Sequence, residues 1–296
     1  MQRRDFLATS IAASAAAASA AAAQNARFSF IHLTDLHIQP ELRASEGCRM
    51  CFDHARKTKA DFALLGGDLV FDVMNQKHER AKLLYGMFAE SSKRLEMPLY
   101  STPGNHDVFG WNKASAVPED DPGYGKKMFE DKMGPRYRSF DHKGWHFVTL
   151  DSVQAIRTEP FFEGSIDAGQ LAWLKDDLAK AGAGTPVIVM THIPLVTGAA
   201  QILQAKTPTA SLQISNSKEV LEVLWKHDVK MVLQGHTHIC ERVEYNGCQF
   251  ITSGAVSGNW WRGKRLFDAE GYGLIEVSGG RAAWSYRTYG FQAEAV

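Results

Sequence analysis

Phe28-Ser29-Phe30-Ile31-His32-Leu33 runs directly into Thr34-Asp35-Leu36-His37: a short apolar stretch of strand type that ends in side chains able to hold a metal. The same event recurs along the chain. Phe62 to Leu65 leads into Gly66-Gly67-Asp68, and Pro98 to Ser101 leads toward Gly104-Asn105-His106-Asp107. Val187 to Met190 is followed by Thr191-His192, and Met231 to Leu233 by Gly235-His236-Thr237-His238. Between these runs, Asn75 to Leu95, Ala168 to Ala181 and Ser217 to Lys226 carry helical spacing; Leu171, Leu174 and Leu178 fall on one face. Strands alternating with helices imply an α/β fold with a largely parallel sheet at its centre. Such sheets collect ligands at the carboxyl ends of their strands, so the five groups are expected to converge on one sheet edge. Arg136 to Phe140, Trp145 to Leu150, Ile239 to Ile251 and Leu274 to Thr288 read as strands joined by short turns, an antiparallel addition with room for a second sheet.

The donor types agree with one another. Carboxylate oxygen, imidazole nitrogen and one amide oxygen suit Mn, Fe, Zn or a similar divalent ion, and no thiolate joins them. In extended chain, residues at i and i+2 point the same way. Asp35 with His37, and His236 with His238, would each present two groups on one face if locally extended. Gly67, Gly104 and Gly235 permit tight turns and close backbone approach to an anion. The candidate ligands Asp35, His37, Asp68, Asn105, His192, His236 and His238 suffice for two ions that share one carboxylate.

The ordered set D-x-H, G-D, G-N-H-D, H and G-H-x-H, from Asp35 to His238, resembles the signature of the calcineurin-like metallophosphoesterases. The resemblance implies a four-layer αββα sandwich with two central mixed sheets and two divalent metal ions. It implies that Asp35, His37 and His238 bind the first ion, that Asn105, His192 and His236 bind the second, and that Asp68 bridges them. His106 would face the phosphate and assist the leaving oxygen as the catalytic residue. The expected activity is hydrolysis of a small phosphate ester by a water that the metals acidify, without a protein nucleophile; no G-x-S-x-G element is present. A carboxylate three residues after the bridging Asp would orient the histidine in the Ser/Thr phosphatase branch, but Phe71 stands there and Asp72 follows. The retained His37 and the missing Tyr at Phe71 separate the chain from purple acid phosphatases. Only 58 residues follow His238, too few for the substrate domain of exported 5′-nucleotidases. What remains is similar to the compact bacterial group of class III cyclic-nucleotide and glycerophosphodiester phosphodiesterases. A monoesterase with the same metals is the alternative, and a non-catalytic metal- or phosphate-binding protein is disfavoured by His106.

Lys plus Arg equals Asp plus Glu at 33 each, which gives no electrostatic footprint for nucleic acid or an anionic membrane. Gln2-Arg3-Arg4-Asp5-Phe6-Leu7, an Ala-rich run and Ala21-Ala22-Ala23 read as a cleaved signal that resembles the twin-arginine type. Residues 1–23 would be removed by export machinery, leaving a single domain over 24–296 in the periplasm or outside the cell. Ala with interspersed Ser is too weakly apolar for a membrane span. Cys48 and Cys51 form a lone C-x-x-C without a second pair at zinc spacing. The turn signal Asn246-Gly247 sets Cys248 opposite Tyr245 and Cys240 opposite Ser253, so a Cys240–Cys248 bridge would need another register; the disulfide state stays open. His32, His54, His78, His142, His146 and His227 fall outside the motifs and take structural or surface roles. Ser257-Gly258-Asn259-Trp260-Trp261-Arg262-Gly263 reads either as core aromatics or as a substrate loop, with Trp260 and Trp261 for a ring and Arg262 for a phosphate oxygen. Phe109 to Gly125 lacks periodicity, and a loop of that length is usually functional or mobile.

Overall fold

The computed structural model describes residues 23–203 and 209–294. Apart from Ala23, the expected signal segment lies outside them. Two mixed sheets face each other. The first has the order β13-β12-β1-β2-β3, from Arg281–Thr288 (β13), Gly271–Ser278 (β12), Arg27–Leu33 (β1), Phe62–Leu65 (β2) and Leu99–Ser101 (β3). The second has the order β10-β11-β9-β8-β5-β4, from Cys240–Tyr245, Cys248–Ser253, Val229–Gln234, Val187–Thr191, Trp145–Leu150 and Arg138–His142. A small hairpin pairs Val153–Ala155 (β6) with Phe162–Gly164 (β7). The helices are α1 (Ala44–Arg56), α2 (His78–Ser92), α3 (Lys127–Met133), α4 (Ala168–Ala181), α5 (Ala199–Leu203) and α6 (Ser217–Leu224).

Strand alternation produces the layers. Phe28 and Phe30 of β1 point between the sheets, where they meet Phe62, Trp145, Phe147, Ile188, Met190, Met231 and Leu233. Ile31 and Leu33 point the other way, onto Cys48 and Phe52 of α1 and Leu84 and Phe88 of α2. Across the molecule, Val187 and Val189 of β8 turn outward onto Leu171, Leu174 and Leu178 of α4 and Val220 and Leu224 of α6. Strands buried on both faces read as continuous apolar runs, which is why the central ones are visible in the sequence. Phe30 stacks on Phe62 at 5.0 Å between ring centres, and both meet Phe147 edge-on.

The structure departs from the sequence reading at several points. The five strand runs that lead to candidate ligands do not share one sheet: β1, β2 and β3 lie in the first, β8 and β9 in the second. The ligand-bearing loops therefore meet where the ends of two stacked sheets come together. Helix α1 also has no signal in the sequence, because its buried face is Ala44, Gly47, Cys48, Cys51, Phe52 and Ala55, small or thiol side chains apart from one Phe. The helical run from Asn75 shortens to His78–Ser92 with a 3₁₀ turn over Lys93–Leu95, while Ala168–Ala181 has the expected bounds and is capped by the Asp167 side chain on Gln170 N–H.

The β10–β11 register is the expected one, with Cys240 opposite Ser253 and Tyr245 opposite Cys248. All four cysteines are free thiols. Thiol titration in guanidinium without reductant should count four per chain, and a count of two or zero would contradict this structure.

Candidate metal centre

Three groups of side chains, drawn from loops of both sheets, bring one donor atom each to within 4.8 Å of the others. They are Asp35, His37 and His238; His37, Asp68 and His106; and Asp68, His192 and His236. Asn105 joins them through its side-chain oxygen, 3.2 Å from His192 Nε2. All eight residues that the sequence singled out for metal binding and catalysis thus stand in one cluster. Asp68 lies in two of the three groups. Its Oδ1 accepts the His106 backbone N–H at 2.8 Å, and its Oδ2 faces His192 Nε2 at 3.3 Å and His37 Nε2 at 3.6 Å.

The local backbone differs from the expectation. Asp35, His37, Asp68, His236 and His238 all have left-handed backbone, with φ of 55°, 45°, 52°, 72° and 61°. The i, i+2 pairs converge through turns rather than through extended chain. Each such residue costs roughly 1–3 kcal/mol, and the surrounding pairing holds them: Asp35 N–H donates to Gly67 O at 3.0 Å and His37 N–H to Asp68 O at 2.9 Å. The glycines admit the protein's own carboxylates. A Cβ on Gly104 would lie 2.1 Å from Asp68 Oδ1, and one on Gly235 would lie 2.1 Å from Thr34 Oγ1 and 2.8 Å from Asp35 Oδ2.

Outer hydrogen bonds orient the imidazoles. A carbonyl oxygen can only accept, so each ring nitrogen facing one carries the proton. His238 Nδ1 donates to Gly258 O at 2.7 Å, His37 Nδ1 to Phe71 O at 3.3 Å and His192 Nδ1 to Gly66 O at 2.8 Å. His236 is reversed, with Nε2 donating to Ser211 O at 2.8 Å. The other ring nitrogen of each points inward, and two of them, His37 Nε2 and His238 Nε2, face each other at 3.0 Å. That contact repels unless a cation is shared. Burial pushes the pKa of His37 down to about 3 and that of His236 down to about 4. Burial alone would lower His192 too, but the Asp68 charge prevails and lifts it to about 9; its proton competes for the place where a metal would bind. Burial would raise Asp35, yet His238, through charge and hydrogen bonding, holds it at about 2. Buried carboxylates beside pre-oriented imidazoles are the donor set a divalent ion needs.

His106 opposes burial with the charges of Asp68 and Asp72, which lift it to about 9. Its Nδ1 is 3.6 Å from Asp72 Oδ1, an ion-pair distance rather than a hydrogen bond. Asp72, one residue beyond the position expected for an orienting acid, therefore faces the histidine. Asp107 acts as a brace. Its Oδ1 accepts the N–H of Leu69 and Val70, and its Oδ2 that of Gly104, so it ties the Asp68 loop to the Asn105 loop.

The late tryptophan loop divides. Trp260 reaches the site, its ring centre 4.4 Å from that of His238 and 6.0 Å from that of His37. Trp261 does not. It is 1% exposed, donates to Leu36 O and His37 O, and packs where a Cβ on Gly47 would fall 2.0 Å from its ring. It is a core side chain with no face for a substrate, which corrects that expectation. Arg262 is exposed, whereas Arg265 places its guanidinium 5.5 Å from the Trp260 ring centre; spacing alone has no means of choosing between them.

The family profile of the calcineurin-like phosphoesterases matches residues 28–240. The chain is 26% identical over 202 residues to a Xenorhabdus bovienii protein named "Probable cyclic nucleotide phosphodiesterase", covering 66% of this chain and 71% of that one. It is 28% identical over 201 residues to the 3′,5′-cyclic adenosine monophosphate phosphodiesterase CpdA of Haemophilus influenzae, covering 66% of this chain and 61% of that one. Among solved structures, a dimetal phosphatase from Danio rerio superposes with a TM-score of 0.65 at 15% identity, over 88% of this chain and 96% of that one; this likeness concerns the fold.

Trp261→Ala should lower stability by about 3–5 kcal/mol in denaturant unfolding, and Arg262→Ala should change it by less than about 0.5 kcal/mol. Equal, small effects would contradict the core assignment.

Proposed function

The chain belongs to the calcineurin-like phosphoesterases and is a metal-dependent phosphoester hydrolase, and from that premise we propose that it is an exported phosphodiesterase with a dinuclear metal centre. The observation that carries the proposal is the juxtaposition of the three donor groups, two of which share Asp68 and two of which share His37. Asp35, His37 and His238 would hold one ion, Asn105, His192 and His236 the other, and Asp68 would serve both; Fe, Mn and Zn all accept these donors. Such a pair supplies Lewis acidity toward a phosphoryl oxygen and a lowered pKa for water.

The protein's own part is positional and protic. His106 is about a quarter exposed (27%), so it borders the space a substrate enters. With Nδ1 turned to Asp72, Nε2 is the ring nitrogen free to give a proton to the departing oxygen. Asp72 and Asp68 keep that proton in place at neutral pH. Asp107 and the carbonyl acceptors hold the donors still, which lowers the reorganisation needed during the reaction. The names of the two bacterial relatives favour a diester over a monoester as substrate.

The reading is tested with metal-reconstituted protein on paired aryl phosphodiester and monoester substrates. Chelator-sensitive preference for the diester is expected, and preference for the monoester would overturn that part. His106→Ala should keep its metal content and lose roughly 10²–10⁴-fold in kcat, whereas Asp68→Ala should lose metal as well. An Asp68→Ala variant with full metal content would contradict the shared-carboxylate assignment.

Export rests on residues 1–23 alone. The Arg3-Arg4 pair before Phe6-Leu7 and the Ala21-Ala22-Ala23 site support passage through the twin-arginine machinery to the periplasm or beyond. Arg3→Lys with Arg4→Lys should leave the precursor unprocessed in the native host, and normal processing would remove this route.

A further inference from the structure

Gly263-Lys264-Arg265-Leu266-Phe267-Asp268 continues from the tryptophan loop and folds back on itself through a two-residue turn. Arg265 N–H donates to Asp268 O at 2.9 Å and Asp268 N–H to Arg265 O at 3.0 Å, which leaves Leu266 and Phe267 at the tip. Phe267 is 94% exposed and Leu266 52%, and no other large apolar side chain among the described residues exceeds 60%. The turn suits neither residue. Leu266 has φ of 54° at the first central position, where glycine is favoured and a side chain is strained. One exposed apolar group is ordinary on a protein surface. Two together in water, at a turn that strains one of them, need a reason.

The charges leading to the tip have one sign. Arg262, Lys264 and Arg265 follow one another closely, and no acid stands between Asn259 and Phe267. Among the described residues none of the three has a carboxylate at ion-pair distance, whereas Arg43, Arg56, Arg80, Arg94 and Arg242 each have one. Asp268 turns Oδ2 to the Cys240 N–H at 2.7 Å, and Glu270 is buried. The equal totals of acidic and basic residues over the whole chain thus coexist with a local excess of positive charge here. The hairpin is also anchored at its base. The Arg265 guanidinium lies 5.5 Å from the Trp260 ring centre, and that ring lies 4.4 Å from His238. Its base stands on the metal centre and its tip is in solvent.

We propose that Leu266 and Phe267 insert into the headgroup–acyl boundary of an anionic lipid bilayer, with Arg262 and Lys264 among the lipid phosphates and Arg265 adding its charge from behind. The protein is then a peripheral membrane protein whose metal centre lies beside the lipid surface. Membrane contact of this kind is independent of which phosphoester the enzyme cleaves. The chemistry of the tip fits this partner. Aromatic side chains favour the membrane interface, and the stems of Lys and Arg lie along apolar surface while their heads stay polar. Each basic residue near an anionic surface contributes about fivefold in affinity. A protein partner would need a broad face, about 800 Å² on each side for a stable complex, and two side chains at a turn supply far less. A bilayer accepts a wedge. With so few apolar groups the attachment is reversible and sensitive to salt.

Co-sedimentation of the metal-reconstituted full chain with vesicles tests this, using phosphatidylcholine alone and phosphatidylcholine mixed with phosphatidylglycerol. The parent should bind the mixed vesicles about 10-fold or more tightly than the neutral ones, and the difference should shrink at high salt. Leu266→Gly with Phe267→Ser suits the turn better than the native pair, so the fold is kept. This double variant should lose about 10-fold or more in binding to the mixed vesicles and turn over a soluble aryl phosphodiester like the parent. Arg262→Gln with Lys264→Gln should remove most of the preference for the anionic lipid. A chelator should leave vesicle binding in place, because the tip and not the metal centre holds the lipid. Phe267→Trp with bromine-labelled acyl chains should show fluorescence quenching beyond that of the parent, a signal local to the tip whatever residues 1–23 do. Equal binding by the parent and the Leu266→Gly, Phe267→Ser variant, no added quenching in Phe267→Trp, or loss of binding on chelation would overturn the membrane contact. So would a lipid-free dimer of the parent that the same double variant abolishes, because a second copy would then cover the tip.

Discussion

The structure is organised around one buried carboxylate. Asp68 is 1% exposed and sits on left-handed backbone, with one oxygen tied to the His106 N–H and the other facing His37 and His192. An ionised carboxylate in such a place is tolerated only if positive charge or donors surround it. The neighbours His192 and His106 hold its pKa well below the ordinary carboxylate value against the opposing effect of burial. Every loop that enters the site ends within reach of this group or of a residue that touches it. Gly104 lacks a side chain because Asp68 occupies the space one would need.

Bringing the donors together costs stability. Five of them adopt a backbone that favours glycine, and His37 and His238 bring ring nitrogens to within 3.0 Å of each other. The two sheets supply the rigidity to hold this arrangement: an aromatic layer around Phe30, Phe62 and Phe147 between them, and separate helical layers outside. Donors from different sheets approach from two sides. A pair of ions that bound them would gain from geometry already in place and from relief of the repulsion between the imidazoles, and so would stabilise the folded chain.

Much of this is legible in the sequence because buried strands and metal ligands leave strong local patterns. The apolar runs around Phe30 and Val189 are visible for burial on both faces, and the Asn246-Gly247 turn alone fixes the β10–β11 register. The division of the strands between two sheets has no local signature, because hydrogen-bond partners are set by packing over long sequence separations. Left-handed backbone at Asp35 and His236 is equally silent in the sequence, since it is imposed by the loops opposite. Helix α1 is hidden by a face of small residues, and that same feature, Gly47, leaves the space Trp261 fills. A Trp-Trp pair cannot disclose which indole turns inward. Asp72 stands one residue from the expected position, and only the fold brings it to His106.

The most direct test of a site centred on Asp68 is elemental analysis of the metal-loaded protein together with anomalous diffraction from its crystals. Two ions per chain are predicted, roughly 3.5–4 Å apart, on either side of Asp68, one among Asp35, His37 and His238 and the other among Asn105, His192 and His236. A single ion per chain, or ions bound away from Asp68, would contradict the claim that this carboxylate is the centre on which the site is built.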